Sequence, residues 1–164
     1  MIKDRKSMNI RIIELTRRTI FSLLLISGYG YADSNIVTAE QAMNCNTAAT
    51  PGAGDACPYP FDVEKTDDAF RKTVSHAMDK ADLGKLWENE GILRGPQTPL
   101  EPVTISGVTW LRSSSCEQHN CGEHYIAYLY QPNLKAFVGL YSNGGKKLLI
   151  GNPDAAQLKF LQSQ

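Results

Sequence analysis

Between Val103 and Ile150 the chain alternates β-prone runs with short turn signals, and this rhythm leaves few folds open. Val103 and Ile105 alternate with polar neighbours, Ser106-Gly107 offers a two-residue turn, and Val108, Trp110 and Arg112 continue on the return. Tyr125 to Tyr130 is a further β-prone run, Pro132-Asn133 turns it, and Ala136 to Tyr141 runs back. Asn143-Gly144-Gly145 then leads into Lys147 to Ile150. Connections this short join antiparallel neighbours. The pattern predicts an antiparallel meander of about five strands with helices before and after it, an α+β domain.

The flanking helices leave their own marks. From Thr66 the apolar spacing becomes helical: Thr66 is expected to cap, Asp67 and Asp68 suit the first turn, and Phe70, Val74, Ala77 and Met78 share a face. His76 lies off that stripe, reads as a solvated helix residue and is given no role. A short apolar stretch at Leu83, Leu86 and Trp87 precedes a Gly/Pro-rich connector from Gly91 to Pro99. At the far end Asn152-Pro153-Asp154 predicts a helix start, with Asn152 capping and Pro153 in the first turn. Ala156, Leu158, Phe160 and Leu161 would then pack back, and Tyr125, Tyr128, Tyr130, Phe137 and Tyr141 belong to the core or the sheet surface.

Residues 1–32 read as an export signal. Lys3, Arg5, Lys6, Arg11, Arg17 and Arg18 form a basic leader, an apolar run spans Ile20 to Ile26, and Gly30 and Ala32 give a small-x-small cleavage pattern. Cleavage is expected near Ala32-Asp33, which makes the protein periplasmic, and Met8 offers a second start besides Met1. The apolar run is well short of the roughly 20 residues a membrane helix needs, so no membrane association is expected after cleavage. No cysteine follows the run directly, which argues against a lipid anchor. Without the leader, 11 basic residues face 15 acidic ones, a net charge of −4 with histidine neutral. That argues against a nucleic-acid partner, for which a basic face would be expected, and allows steering toward a basic partner.

Residues 33–65 are rich in Ala, Thr, Asn, Gly and Pro and read as a mostly irregular arm. All four cysteines lie in the exported part, where an even count favours disulfides. Three pairings are open, and local closure, Cys45–Cys57 with Cys116–Cys121, is the most economical.

Cys116-Glu117-Gln118-His119-Asn120-Cys121 is where chemistry concentrates. Closed as a ring between two adjacent strands, it would fix a protrusion tipped with imidazole. Cys116, His119, Cys121 and His124 could also supply four zinc ligands, but the spacing is unusual for a tetrahedral site and export would oxidise the thiols. A cysteine nucleophile would need a base and an orienting group, and its partner cysteine would consume it. No Ser-His-Asp motif, phosphate loop or HExxH helix is present, so no enzyme, cofactor or metal is expected. A bare structural hairpin is the remaining reading from these residues alone.

The loop with its flanks resembles the periplasmic inhibitors of vertebrate (c-type) lysozyme, the Ivy family. The resemblance covers roughly residues 66–164: C-x-x-H-x-C followed by Gly122 between two strands, the Asp68-Ala69-Phe70 helix, the Leu86-Trp87 step, Pro102-Val103-Thr104, and the strand from Cys121-Gly122 through Gly139-Leu140. It implies a non-enzymatic inhibitor whose target-binding loop is Cys116, Glu117, Gln118, His119, Asn120, Cys121 and Gly122. His119 would enter the glycosidase site, Cys116–Cys121 would hold the loop ready, and Gly122 would let the chain re-enter the sheet. The implied partner is c-type lysozyme or, as the alternative, the bacterium's own lytic transglycosylases; dimers occur in the family, so a homodimer is allowed. The best-known members carry Lys-Pro after the first cysteine and Asp before the second, where this chain has Glu117-Gln118 and Asn120. Glu117 is expected to bring a negative charge toward a cleft of carboxylates and weaken lysozyme binding. Without the proline the loop is expected to be freer, and Asn120 cannot orient His119 as an aspartate would.

Overall fold

The computed structural model describes residues 37–89 and 95–164. The export leader, the Ala32-Asp33 cleavage point and the start of the Gly/Pro-rich connector lie outside them. Five strands, β1 (Glu101–Ile105), β2 (Val108–Cys116), β3 (His124–Gln131), β4 (Ala136–Asn143) and β5 (Lys146–Ile150), pair antiparallel in sequence order as one open sheet. The expected α+β meander is therefore the fold. Its tight turns have backbone reasons. Ser106 and Gly107 connect the Ile105–Val108 pair at φ 51° and 80°, and Gly144 and Gly145 connect Asn143 to Lys146 at 55° and 81°. Positive φ at both central residues matches the right-handed twist of the strands it joins.

Both faces of the sheet are covered. On one, α3 (Asp68–Lys80) lays Phe70, Val74 and Met78 against Leu111, Ile126, Tyr130 and Ile150. The Phe70 and Tyr130 rings meet edge to face with centroids 4.9 Å apart. The short α4 (Gly84–Asn89) follows, with Leu83 buried and Leu86 packed on the same core. On the other face, Leu161 of α5 (Ala155–Gln162) packs with Trp110, Leu129, Val138 and Leu140. Cover on both sides explains why β3 and β4 are buried almost throughout instead of alternating. His76 is exposed on α3, as expected.

Three expectations are corrected. Asp67, not Thr66, caps α3: its side chain accepts from Phe70 N at 3.0 Å, because Thr66 is already the last residue of α2 (Pro60–Thr66). Asp154, not Asn152, caps α5, forming a capping box with Gln157. Ala156 is accordingly exposed, while Gln157 and Leu161 face inward. The segment read as a mostly irregular arm is irregular over most of its described length, but it carries α1 (Ala39–Ala42) and α2, and Ala39, Ala42 and Val63 are fully buried in the main core. Asp67 also accepts from Ala39 N at 3.0 Å, so one carboxylate holds the start of both α1 and α3.

Candidate functional site: a loop held on both faces of the sheet

The loop sits where β2 and β3 end. Cys116 faces Tyr125 as the last ladder pair, and the bond from Glu117 N to His124 O (3.0 Å) extends the ladder one step further. Residues directly opposite one another project to the same face, and successive residues alternate. Cys116 and Tyr125 therefore share one face, while Glu117 and His124 share the other.

On the first face Cys116 and Cys121 are disulfide-bonded, with Cα atoms 4.8 Å apart. Beside the bridge runs an open groove of about 510 Å³ whose lining includes Gln97, Thr98, Ser114, Tyr125 and Gln164, all uncharged side chains. Gly95 presses on the loop's base, where a Cβ would lie 1.9 Å from Cys116 O. The Cys116 amide donates to Pro96 O at 3.1 Å. The connector thus braces the loop's root.

On the second face the loop is held by hydrogen bonds. Glu117 Oε2 lies 2.7 Å from Asn120 Nδ2 and 2.9 Å from His124 Nδ1. His124 Nε2 lies 2.7 Å from the Tyr141 hydroxyl, which also accepts from Asn143 Nδ2 at 3.2 Å. A carboxylate only accepts, so Nδ1 carries a proton, and in the neutral ring Nε2 then accepts from Tyr141. The amide of Asn120 and the imidazole of His124, in that order, hold the Glu117 carboxyl below the usual glutamate range.

Between these clamps the backbone makes a tight turn. Asn120 N donates to Glu117 O at 3.0 Å, and the third turn residue, His119, takes φ 69°. Histidine is among the few residues enriched in that left-handed region. His124 N then returns to Asn120 O at 2.9 Å. His119 is exposed, as are Gln118 and Asn120 beside it.

The sequence-based expectations meet this geometry unevenly. The pairings Cys45–Cys57 and Cys116–Cys121 are both formed. Glu117 does not project as a bare charge: it is turned back onto Asn120 and His124, and the loop without proline is closed by those bonds instead. Asn120 orients Glu117 rather than His119. Gly122 is neither left-handed nor crowded, and a Cβ there would meet nothing within 4 Å, so re-entry to the sheet does not depend on its being glycine. The four residues weighed as zinc ligands do not form a donor set, since both sulfurs are in the bridge and His124 is engaged at both nitrogens. Among the described residues no group of three or more His, Cys, Asp or Glu side chains is placed to hold a metal ion. Sequence reasoning missed Tyr141 and the structural part played by His124. Closing the ring implies the register that sets Glu117 opposite His124, so the signal was present.

The chain matches no family model, no curated protein and no solved structure. Its own geometry must therefore carry the functional reading.

Proposed function

We propose that this protein is a non-enzymatic inhibitor of peptidoglycan-cleaving glycosidases, acting in the periplasm by inserting the Cys116–Cys121 loop into the active site of c-type lysozyme. The observation that carries the reading is an exposed histidine in the turn of a loop that is clamped on both faces of a sheet. Ordering a loop before binding removes the entropic cost of fixing it on contact. A retaining glycosidase holds two carboxyl groups about 5 Å apart. An imidazole has nitrogens on opposite sides of a small flat ring and can bond both carboxyls, more strongly if protonated. Such a plug blocks access and performs no chemistry.

The resemblance of the loop and its flanks to the Ivy inhibitors supports the same reading. Because Glu117 is turned back onto Asn120 and His124, it should weaken lysozyme binding less than a projecting carboxylate would; lytic transglycosylases stay the alternative target. The test is cell-wall lysis by c-type lysozyme and, in parallel, by a lytic transglycosylase, each titrated with the oxidised protein. Inhibition of lysozyme that is competitive with substrate is expected. Inhibition of the transglycosylase alone would move the target to that enzyme, and inhibition of neither would reject the reading.

A further inference from the structure

We propose that His124 is a positioning residue: by gripping Glu117 from the sheet it sets the turn that presents His119. The inference deepens the inhibitor reading and rests on it for its consequence, but the positioning itself is a property of this chain alone.

The disulfide by itself leaves a freedom. It fixes the separation of Cys116 and Cys121 on one face and does not stop the residues between them from tipping about that bridge. The Glu117–His124 contact lies on the opposite face, so the two together remove the tipping motion. Control runs from His124 outward. Its side chain is only 8% exposed against 47% for Glu117, and it is braced behind by Tyr141 at 2.7 Å, itself bonded to Asn143 at 3.2 Å. Glu117 passes the constraint on through both its groups. Its carboxylate takes the Asn120 side chain, and its carbonyl takes the Asn120 amide. Those two bonds span Gln118 and His119, and they hold the turn in which His119 sits at φ 69°. The Gly144 amide, donating to Glu123 O at 3.2 Å, ties the β4–β5 turn to the same corner.

The alternative is that His124 merely fills space at the end of the core. Two substitutions separate these roles. In His124→Asn the amide nitrogen falls near the former Nδ1 and can still reach Glu117. In His124→Gln the amide falls near the former Nε2, which reaches Tyr141 and abandons Glu117. The experiment uses the full chain, exported and oxidised, and reads backbone order parameters at Gln118, His119 and Asn120 together with inhibition of cell-wall lysis. Wild type and His124→Asn are expected near the rigid value of about 0.85, and His124→Gln below about 0.6 at these residues only. Inhibition should fall about tenfold in His124→Gln, equivalent to about 1.4 kcal/mol, and at most slightly in His124→Asn. The inference is overturned if the loop stays rigid in His124→Gln, or if both variants lose inhibition in step with melting temperature. Should the wild type inhibit nothing, the inhibitor reading fails, and the order parameters still decide whether His124 positions the turn.

Discussion

The two disulfides of this protein both close short rings and serve different ends. Cys45–Cys57 spans a sequence separation of 12, Cys116–Cys121 one of 5. In the chain-entropy picture these contribute about 3 and about 2 kcal/mol, a difference too small to separate their roles. What each bridge is attached to does separate them. The first ties together segments that run directly into the core: Ala42 and Val63 on either side are fully buried, and Leu100 N donates to Pro58 O at 2.8 Å. Within its ring Asn46 pairs with Asp55 through backbone and side chain, at 2.8 and 3.1 Å. The second bridge starts from buried Cys116 but encloses Glu117 to Asn120, all exposed, which bond to one another and to His124. One covalent bond anchors the fold, and the same bond elsewhere shapes a surface. The lesson is that a disulfide's role is read from what the residues around it contact rather than from loop length.

The largest expected effect breaks the first bridge. Cys45→Ser with Cys57→Ser should lower unfolding stability by about 3 kcal/mol in urea titrations, while the protein that remains folded inhibits as before. Breaking the second bridge, by Cys116→Ser with Cys121→Ser, should lower stability by at most about 2 kcal/mol but weaken inhibition disproportionately. If inhibition fell only in step with stability, the second bridge would be a fold anchor too, and the contrast would collapse.

A smaller effect isolates the first region without touching sulfur. Asp67→Ala removes the cap of α3 and the grip on Ala39 together, so it should cost about 1–2 kcal/mol and open residues 39–43 to protease, with inhibition unchanged. The smallest effect belongs to the loop and is read against pH. Glu117 has its folded-state pKa lowered by Asn120 and then His124. Its contribution is therefore complete above the unfolded value of about 4.3 and is lost only as pH falls through the lower folded value. Chemical shifts of Gln118 and His119 should stay flat across the ordinary carboxylate range and move below it. A midpoint at the ordinary value would show that the carboxylate is unpaired.

How legible each region was follows from the same contrast. The strands could be read because alternation and positive-φ turn residues are local signals, and Ser106-Gly107 and Gly144-Gly145 carry them. The unbroken apolar run at Tyr125–Tyr130 reflected a strand covered on both faces, with α5 supplying the second cover. The short helices in the 33–65 segment were missed because a four-residue helix shows no periodicity, and buried alanines leave no hydrophobic stripe. The caps slipped by one and two residues where α2 runs straight into α3 and where Pro153 precedes Asp154. The ring at Cys116–Cys121 was visible as a motif, but its inner clamp shows only once closure of the ring is used to set the strand register. Glu117 and His124 are seven residues apart and meet only through the register of β2 and β3.

The account turns on His119, and its most direct test is inhibition of c-type lysozyme by the wild type beside His119→Asn. Asparagine tolerates the left-handed backbone at this position, so the loop should keep its shape and the melting temperature should not change. The account predicts that the wild type inhibits and that the variant loses about 2 kcal/mol or more of binding, roughly thirtyfold, as expected for a buried central contact. An unaltered inhibition constant in His119→Asn would contradict it and take the imidazole out of the site.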